Sequence, residues 1–220
     1  MQLKFDNLFL MKIPSWTYKY DLEINRAEYI NAVNEVFDSG RLLFGNQLKN
    51  FEKSFSNYIG TNFAIGCDNA TNAIFLSLKS LGVGEGDEVI TVPNTAIPTV
   101  SAICQSGAKP VFVDVNKHAL MDVNKLEELI NNKTKVILPV HLYGFPCDMD
   151  KISLISRKYN IHIIEDCSQA HGTILNNKKV GSFGKLSCFS FYPTKSLGGF
   201  GDAGMICTNE IDCDNLLKKM

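Results

Sequence analysis

The sequence predicts an α/β fold of three layers, α/β/α, around a mainly parallel but mixed sheet. Short runs rich in Val and Ile alternate with segments of helical periodicity between residues 63 and 165, a pattern typical of parallel strands joined by helices. After residue 170 the strands follow more closely, and a Gly-rich turn at 198–204 is too short for a parallel crossover, so we expect an antiparallel pair there. The 220 residues suffice for one large domain with its own core.

The periodicity of apolar residues gives the order of the elements. A first helix is indicated at 25–37, where Ala27, Ile30, Val33, Val36 and Phe37 form one stripe, and a second helix runs from Leu48 to Tyr58, before Gly60. The remaining predictions are strands at 63–67, 88–92, 110–114, 135–140, 161–165, 186–191 and 204–208, helices at 71–81, 96–105, 123–131 and 150–159, and a small hairpin within 172–180. Residues 1–24 are expected to form an N-terminal arm, of which residues 1–10 are an extension.

Composition and charge limit the classes of function. The chain has 22 basic and 23 acidic residues and a net charge of −1, so no basic surplus is available for a nucleic-acid backbone. No apolar run approaches the ~20 residues that span a bilayer, and we expect no membrane partner. The seven cysteines form no CxxC pair, so neither a disulfide framework nor a metal site is expected, and a reducing cytoplasm fits best.

Polar residues near the carboxyl ends of predicted strands are the candidates for a ligand site, because open parallel sheets bind ligands there. Asp166 follows one strand, Ser190 and Lys195 follow another before a Gly-rich loop, and Thr71 opens a helix. Taken singly, each has a structural interpretation: Asp166 caps a turn, Lys195 is a surface group, and Asn69 or Thr71 caps a helix. We interpret His141 and His171, which could also line a pocket, as structural.

In combination, these segments resemble the DegT/DnrJ/StrS-type sugar-nucleotide aminotransferases, which are fold-type-I pyridoxal-phosphate (PLP) enzymes. The resemblance covers the chain from about Ile24 to its end. It rests on GVGEGDEVITVP (82–93), HLYGFPCDMD (141–150), IIEDCSQAHG (163–172) and VGSFGKLSCFSFYPTKSLGGFGDAG (180–204). The spacing of Asp166, Gln169, Ser190 and Lys195 is similar to that of the family.

The resemblance implies a role for each site residue. Lys195 would bind the PLP aldehyde covalently and move protons between donor and acceptor carbons, while Asp166 would pair with the pyridine nitrogen. Gln169 would contact the ring hydroxyl, and Ser190 would hold the phosphate with Ala70 and Thr71. The reaction would transfer an amino group from glutamate to a keto sugar nucleotide, through a pyridoxamine phosphate (PMP) form, in a cytoplasmic homodimer that serves polysaccharide or lipopolysaccharide biosynthesis.

Three departures from the family pattern bear on this expectation. Asn69-Ala70-Thr71 stands where the family usually has Ser-Gly-Thr, and Ala96 stands where an aromatic residue usually covers the cofactor ring. Only 25 residues follow Lys195, whereas family members continue through a smaller second domain. We therefore expect 25–208 to form the PLP-binding large domain and 209–220 to begin the connection to a small domain that is missing.

Two other functions are compatible with the sequence. A related sugar dehydratase that uses PLP or PMP is one, although the resembling dehydratases carry histidine in place of Lys195. An inactive, truncated remnant that acts as a binding module is the other, because surface that the second domain should cover would be exposed.

Overall fold

The computed structural model describes residue 14 and residues 16–220. The expected extension at 1–10 and most of the expected arm at 1–24 lie outside this part of the chain, and the domain boundaries at 24 and 208 stay predictions. The chain divides into two compact units, Met1–Gly45 and Asn46–Met220. No helix among the described residues has the length and apolar character needed to cross a membrane.

In the first unit, one helix, α1 (Lys19–Asp38), accounts for most of the described residues. It begins at Lys19 rather than at residue 25, and its N-cap, Tyr18, makes no side-chain capping hydrogen bond. No residue of α1 is buried, and Ile30, Val33 and Phe37 of the predicted apolar stripe are exposed.

The second unit contains all the strands and five further helices of the described chain. The helices are α2 (Asn46–Ile59), α3 (Ala70–Ser80), α4 (Ile97–Gln105), α5 (Met149–Tyr159) and α6 (Ile211–Leu217). The strands are β1 (Phe63–Cys67), β2 (Glu88–Thr91), β3 (Lys109–Phe112), β4 (Thr134–Ile137), β5 (His162–Asp166), β6 (Ile174–Leu175), β7 (Lys178–Lys179), β8 (Leu186–Ser190) and β9 (Gly204–Thr208). Short 3₁₀ turns cover Glu127–Leu129 and Leu142–Gly144.

Seven strands form the main sheet in the order β1-β9-β8-β5-β4-β2-β3, and β6 and β7 form a separate hairpin. β9 is antiparallel to both of its neighbours, β1 and β8. All other pairs in the main sheet are parallel. The predicted mixed, mainly parallel sheet and its terminal antiparallel pair are therefore confirmed, and six strands end at the same edge.

Helices cover both faces of this sheet, and adjacent residues of β8 show how. Successive side chains of a strand point to opposite faces. Cys188 lies 3.4 Å from the Ser77 hydroxyl of α3, whereas the ring of Phe189 packs edge-on against Phe55 of α2, with 4.9 Å between ring centroids. Burial of an aromatic side chain such as Phe189 stabilises the fold by about 2 kcal/mol. The three-layer α/β/α prediction is confirmed.

The helix predicted at 123–131 is wrong. Residues 123–126 form turns, and only Glu127–Leu129 is helical, as one 3₁₀ turn. The Asp122 side chain accepts a hydrogen bond from the Asn124 amide at 3.1 Å, and such local bonds compete with helix formation. Leu126 is fully buried nonetheless, so its apolar side chain packs in the core although its backbone lies in a turn.

Candidate functional site

A cavity of about 360 Å³ lies at the edge where the parallel strands end. All six residues proposed from the sequence line it: Ala70, Thr71, Asp166, Gln169, Ser190 and Lys195. They come from three separate segments, which the parallel strand order brings to one place.

Asp166 is the last residue of β5 and is 4 % exposed. Its Oδ1 atom accepts hydrogen bonds from the Ser168 amide at 3.1 Å and from the Ser168 hydroxyl at 2.6 Å. Its Oδ2 atom accepts one from the Thr99 hydroxyl of α4 at 2.8 Å, and Thr99 in turn contacts the Thr95 hydroxyl at 2.8 Å. The turn-capping interpretation of Asp166 is thus correct for one oxygen only.

The carboxylate of Asp166 keeps room for a further donor. A carboxylate offers about four lone-pair positions, and the described residues fill two on Oδ1 and one on Oδ2. One position on Oδ2 remains, in a residue that lines the cavity. A buried acid with a fixed orientation and a vacant lone pair suits a ligand that carries an N–H group.

Gln169 is held by a strained turn. The Tyr143 amide donates to the Gln169 Oε1 atom at 2.9 Å. Tyr143 has a φ of 56°, a region that non-glycine residues rarely adopt and that costs about 1 kcal/mol or more. Because Oε1 is engaged, the NH₂ end of this side chain is the donor that a ligand can use.

The start of α3 and the end of β8 both line the cavity. Asn69 caps α3 by accepting from the Asn72 amide at 2.9 Å, and the first amides of a helix attract anions. Gly204 of β9 pairs with Ser190. A side chain at Gly204 would come within 2.5 Å of the Asn69 carbonyl carbon, so glycine allows β9 to pack against this helix start.

Lys195 lies in a tight loop after β8 and is half-buried. Its amide donates to the Tyr192 carbonyl at 2.8 Å, and the Gly199 amide donates to the Phe191 carbonyl at 2.8 Å. A side chain at Gly198 would lie 2.5 Å from the Pro193 carbonyl oxygen. These contacts close the loop back on itself beside the cavity that Lys195 lines.

Ala96 also lines the cavity and is exposed as the N-cap of α4. It has no ring to stack on a planar ligand. Of the described residues around the cavity, one is aromatic, Tyr192.

His141 and His171 differ in the hydrogen bonding of their ring nitrogens. Both ring nitrogens of His141 are engaged, Nε2 by Glu165 at 3.0 Å and Nδ1 by the Cys147 amide at 3.0 Å, so the structural interpretation holds for it. Within the described chain, neither buried ring nitrogen of His171 has a hydrogen-bond partner of good geometry. Burial lowers the pKa of His171, the nearby Ser190 carbonyl raises it, and the charge of Lys195 lowers it further.

Sequence reasoning missed Thr99, Ser168 and Tyr143, which orient Asp166 and Gln169. Ser168 had a readable signal, because an Asp side chain commonly accepts a hydrogen bond from the backbone amide two residues on. Thr99 had none, since it lies 67 residues from its partner.

Residues 23–220 match the model of the DegT/DnrJ/EryC1/StrS aminotransferase family. The chain belongs to this family. It is 43% identical over 206 residues to a dTDP-3-amino-3,4,6-trideoxy-alpha-D-glucose transaminase of Micromonospora megalomicea subsp. nigra. The matched region covers 93% of this chain and 55% of that protein.

Two solved structures share the fold. The structure of S. venezuelae DesV in complex with a ketimine intermediate superposes with a TM-score of 0.91 at 39% identity, over 94% of this chain and 56% of that one. The structure of NtdA from Bacillus subtilis with bound cofactor PMP gives a TM-score of 0.83 at 32% identity, over 94% of this chain and 48% of that one. The chain thus spans about half the length of the relatives it matches.

Proposed function

We propose that this chain is the cofactor-binding part of a PLP-dependent aminotransferase that transfers an amino group from glutamate to a keto sugar nucleotide. One observation carries the proposal: six residues from three segments line a single cavity, and the buried acid among them keeps one lone pair that no described residue fills. Membership of the aminotransferase family supports the reaction type.

The donors and acceptors of the cavity fit PLP. The cavity of about 360 Å³ is within the range of pockets that hold small cofactors. Its groups match the three polar parts of the cofactor: an acid for the ring nitrogen, an amide for the ring hydroxyl, and a helix start with a hydroxyl for the phosphate. A bound PLP would supply an electron-withdrawing ring that stabilises negative charge on the reacting carbon.

Lys195 and Asp166 would carry the chemistry. The Lys195 amine would bind the cofactor covalently and, once released, would move a proton between the two reacting carbons. The Asp166 carboxylate would hold a proton on the ring nitrogen, because an adjacent negative charge favours the protonated form. Thr99 and Ser168 keep that carboxylate in one orientation.

The remaining residues would bind and orient. The Gln169 NH₂ group would donate to the ring hydroxyl, since its oxygen is engaged by Tyr143. The Ser190 hydroxyl and the backbone at Ala70 and Thr71 would hold the phosphate at the start of α3. Tyr192 is the ring at the cavity that could cover a cofactor in place of an aromatic residue at position 96.

The substrate proposal follows the names of the relatives. The Micromonospora relative is a transaminase named for a dTDP-linked 3-amino sugar, so we propose a 3-keto sugar nucleotide as the acceptor. Lys195 counts against the dehydratase alternative, in which histidine replaces this lysine. We also propose that the protein is a homodimer, which sedimentation of the purified chain tests. We propose the cytoplasm as its location, because seven free cysteines are compatible with a reducing compartment.

The two half-reactions can be tested separately. PLP-loaded protein is mixed first with glutamate, and 2-oxoglutarate and PMP are measured. The PMP form is then mixed with a 3-keto sugar nucleotide, and the amino sugar is identified by mass spectrometry, with Lys195→Ala as control. Release of a keto sugar that has lost a hydroxyl group, without amino transfer, would support the dehydratase. Bound PLP with neither half-reaction would support the inactive binding module.

A further inference from the structure

The residue before Asp166 is a fully buried acid whose hydrogen-bonding capacity is saturated. Glu165 points to the face opposite Asp166, as alternation along β5 requires. Its Oε2 atom accepts from His141 Nε2 at 3.0 Å and from the Gly181 amide at 2.8 Å. Its Oε1 atom accepts from the Phe183 and Gly184 amides at 2.8 and 2.7 Å. All four lone-pair positions are therefore filled.

His141 closes a turn around its own ring. The Cys147 amide donates to Nδ1 at 3.0 Å, which ties residue 147 back to residue 141. Burial lowers the pKa of His141, whereas hydrogen bonds to Cys147 and Glu165 raise it, so the geometry of the contacts decides the protonation state. We assign the neutral ring with its proton on Nε2, because a second proton on Nδ1 would face the Cys147 amide hydrogen.

A metal ion does not fit this cluster. The ligand atoms of His141, Glu165 and Cys167 lie within 4.8 Å of one another, which is the spacing of a metal site. The carboxylate has no lone pair left, however, and both nitrogens of His141 are engaged. Burial, then the charges of Glu165 and Asp166, raise the pKa of the Cys167 thiol well above its ordinary value, so it stays protonated.

The cluster connects directly to the cavity. The His141 amide donates to the Asp166 carbonyl at 3.0 Å, and the turn that the His141 ring closes contains Tyr143. That residue holds Gln169 through its amide while its own backbone is in a strained conformation. A strained residue persists only where its surroundings hold it, and here the closed 141–147 turn does so.

We propose that His141 and Glu165 are positioning residues that fix Gln169 through the Tyr143 amide from the opposite face of the sheet. Glu165 orients the His141 ring, the ring closes the 141–147 turn, and the turn aims the Tyr143 amide at the Gln169 oxygen. The effect on cofactor binding rests on the proposed PLP function. The effect on the Tyr143 amide does not, and it can be measured in the protein without cofactor.

The first test is amide hydrogen exchange in the cofactor-free protein. His141→Phe keeps an aromatic ring and loses both hydrogen bonds, while His141→Gln keeps a donor toward Glu165. We expect protection of the Tyr143 amide to fall about 10-fold or more in His141→Phe, relative to the Ile206 amide of β9, and to recover in part in His141→Gln. Equal loss at both amides would overturn the proposal. If His141→Phe does not fold, His141→Gln against wild type gives the same comparison with a smaller expected loss.

The second test is a double-mutant cycle on the dissociation constant of PLP, measured by absorption. Gln169→Ala is expected to weaken binding about 5- to 10-fold in the wild-type background and less than about 2-fold beside His141→Phe, or beside His141→Gln if that is the variant that folds. Ser190→Ala, on β8, is the matched control and should cost the same factor in both backgrounds. Additive effects of Gln169→Ala would contradict the positioning role. Absence of PLP binding in the wild type would contradict the proposed function instead, and the exchange test would still decide the positioning role.

Discussion

Asp166 and Glu165 are neighbours on one strand, both are buried acids, and they differ in how completely the protein satisfies them. Glu165 accepts four hydrogen bonds, three of them from backbone amides that cannot reverse their direction. Asp166 accepts three, two of them from hydroxyl groups that can act as donor or acceptor. We therefore expect the saturated acid to contribute to stability and the acid with a vacant lone pair to bind a ligand.

The largest expected effect is on stability when Glu165 is changed to Gln. One oxygen and one NH₂ group would replace two acceptors, so at least two donors would face another donor. We expect the free energy of unfolding to fall by about 3–5 kcal/mol, the usual cost of breaking a buried charged network. Urea unfolding followed by circular dichroism measures it. A loss below about 1 kcal/mol would remove the distinction between the two acids.

Asp166→Asn should have the opposite effect, with little change in stability and a large loss of PLP affinity. Asn keeps an acceptor for Ser168, and its NH₂ group can donate to Thr99, whose hydroxyl reverses. Stability should therefore change by less than about 1 kcal/mol. The charge that holds the ring proton is lost, so PLP should bind about 10- to 100-fold more weakly in an absorption titration. Unchanged PLP affinity would show that Asp166 does not contact the cofactor.

Much of the fold was readable from the sequence because its signals are local. Alternating apolar runs located the strands, and the loop at 198–204 predicted the antiparallel β9. The early start of α1 was not readable, because Tyr18 gives no capping signal. The six candidate residues came from a family resemblance, and the structure brings them together at one cavity.

The support behind the site could not be predicted, for a physical reason. Glu165 appears in the sequence as one polar residue in an apolar strand, and its partners lie 16 to 24 residues away. Hydrogen bonds between distant segments depend on strand register, which periodicity does not specify. The same holds for Thr99, whose role depends on α4 lying over the end of β5.

Thr99→Val is expected to weaken PLP binding less than Asp166→Asn does. It removes one of three donors to Asp166, so we expect a loss of about 1 kcal/mol in stability and about 5-fold weaker PLP binding. Thr91→Val is the matched control, because Thr91 is equally buried and its hydroxyl donates to the Leu138 carbonyl at 2.9 Å. The control should lose similar stability and keep its PLP affinity. Equal PLP loss in both variants would mean that Thr99 acts only through stability.

The smallest expected effect concerns Cys207, which is packed on the α2 side of the sheet with Phe189. Burial raises the pKa of Cys207 from 9.0 to about 12. The unfolded chain therefore loses this proton as the pH rises through 9 while the folded chain keeps it, and stability falls. Between pH 9 and pH 10 the wild type should lose about 1 kcal/mol more than Cys207→Ala. Identical pH slopes would mean that this thiol is accessible to water.

The most direct test of the account is to reduce the PLP-treated protein with borohydride and locate the modified residue by peptide mapping. The account predicts a pyridoxyl group on Lys195, absent in Lys195→Ala and reduced at limiting PLP in Asp166→Asn. A label spread over exposed lysines, or one that persists in Lys195→Ala, would contradict it.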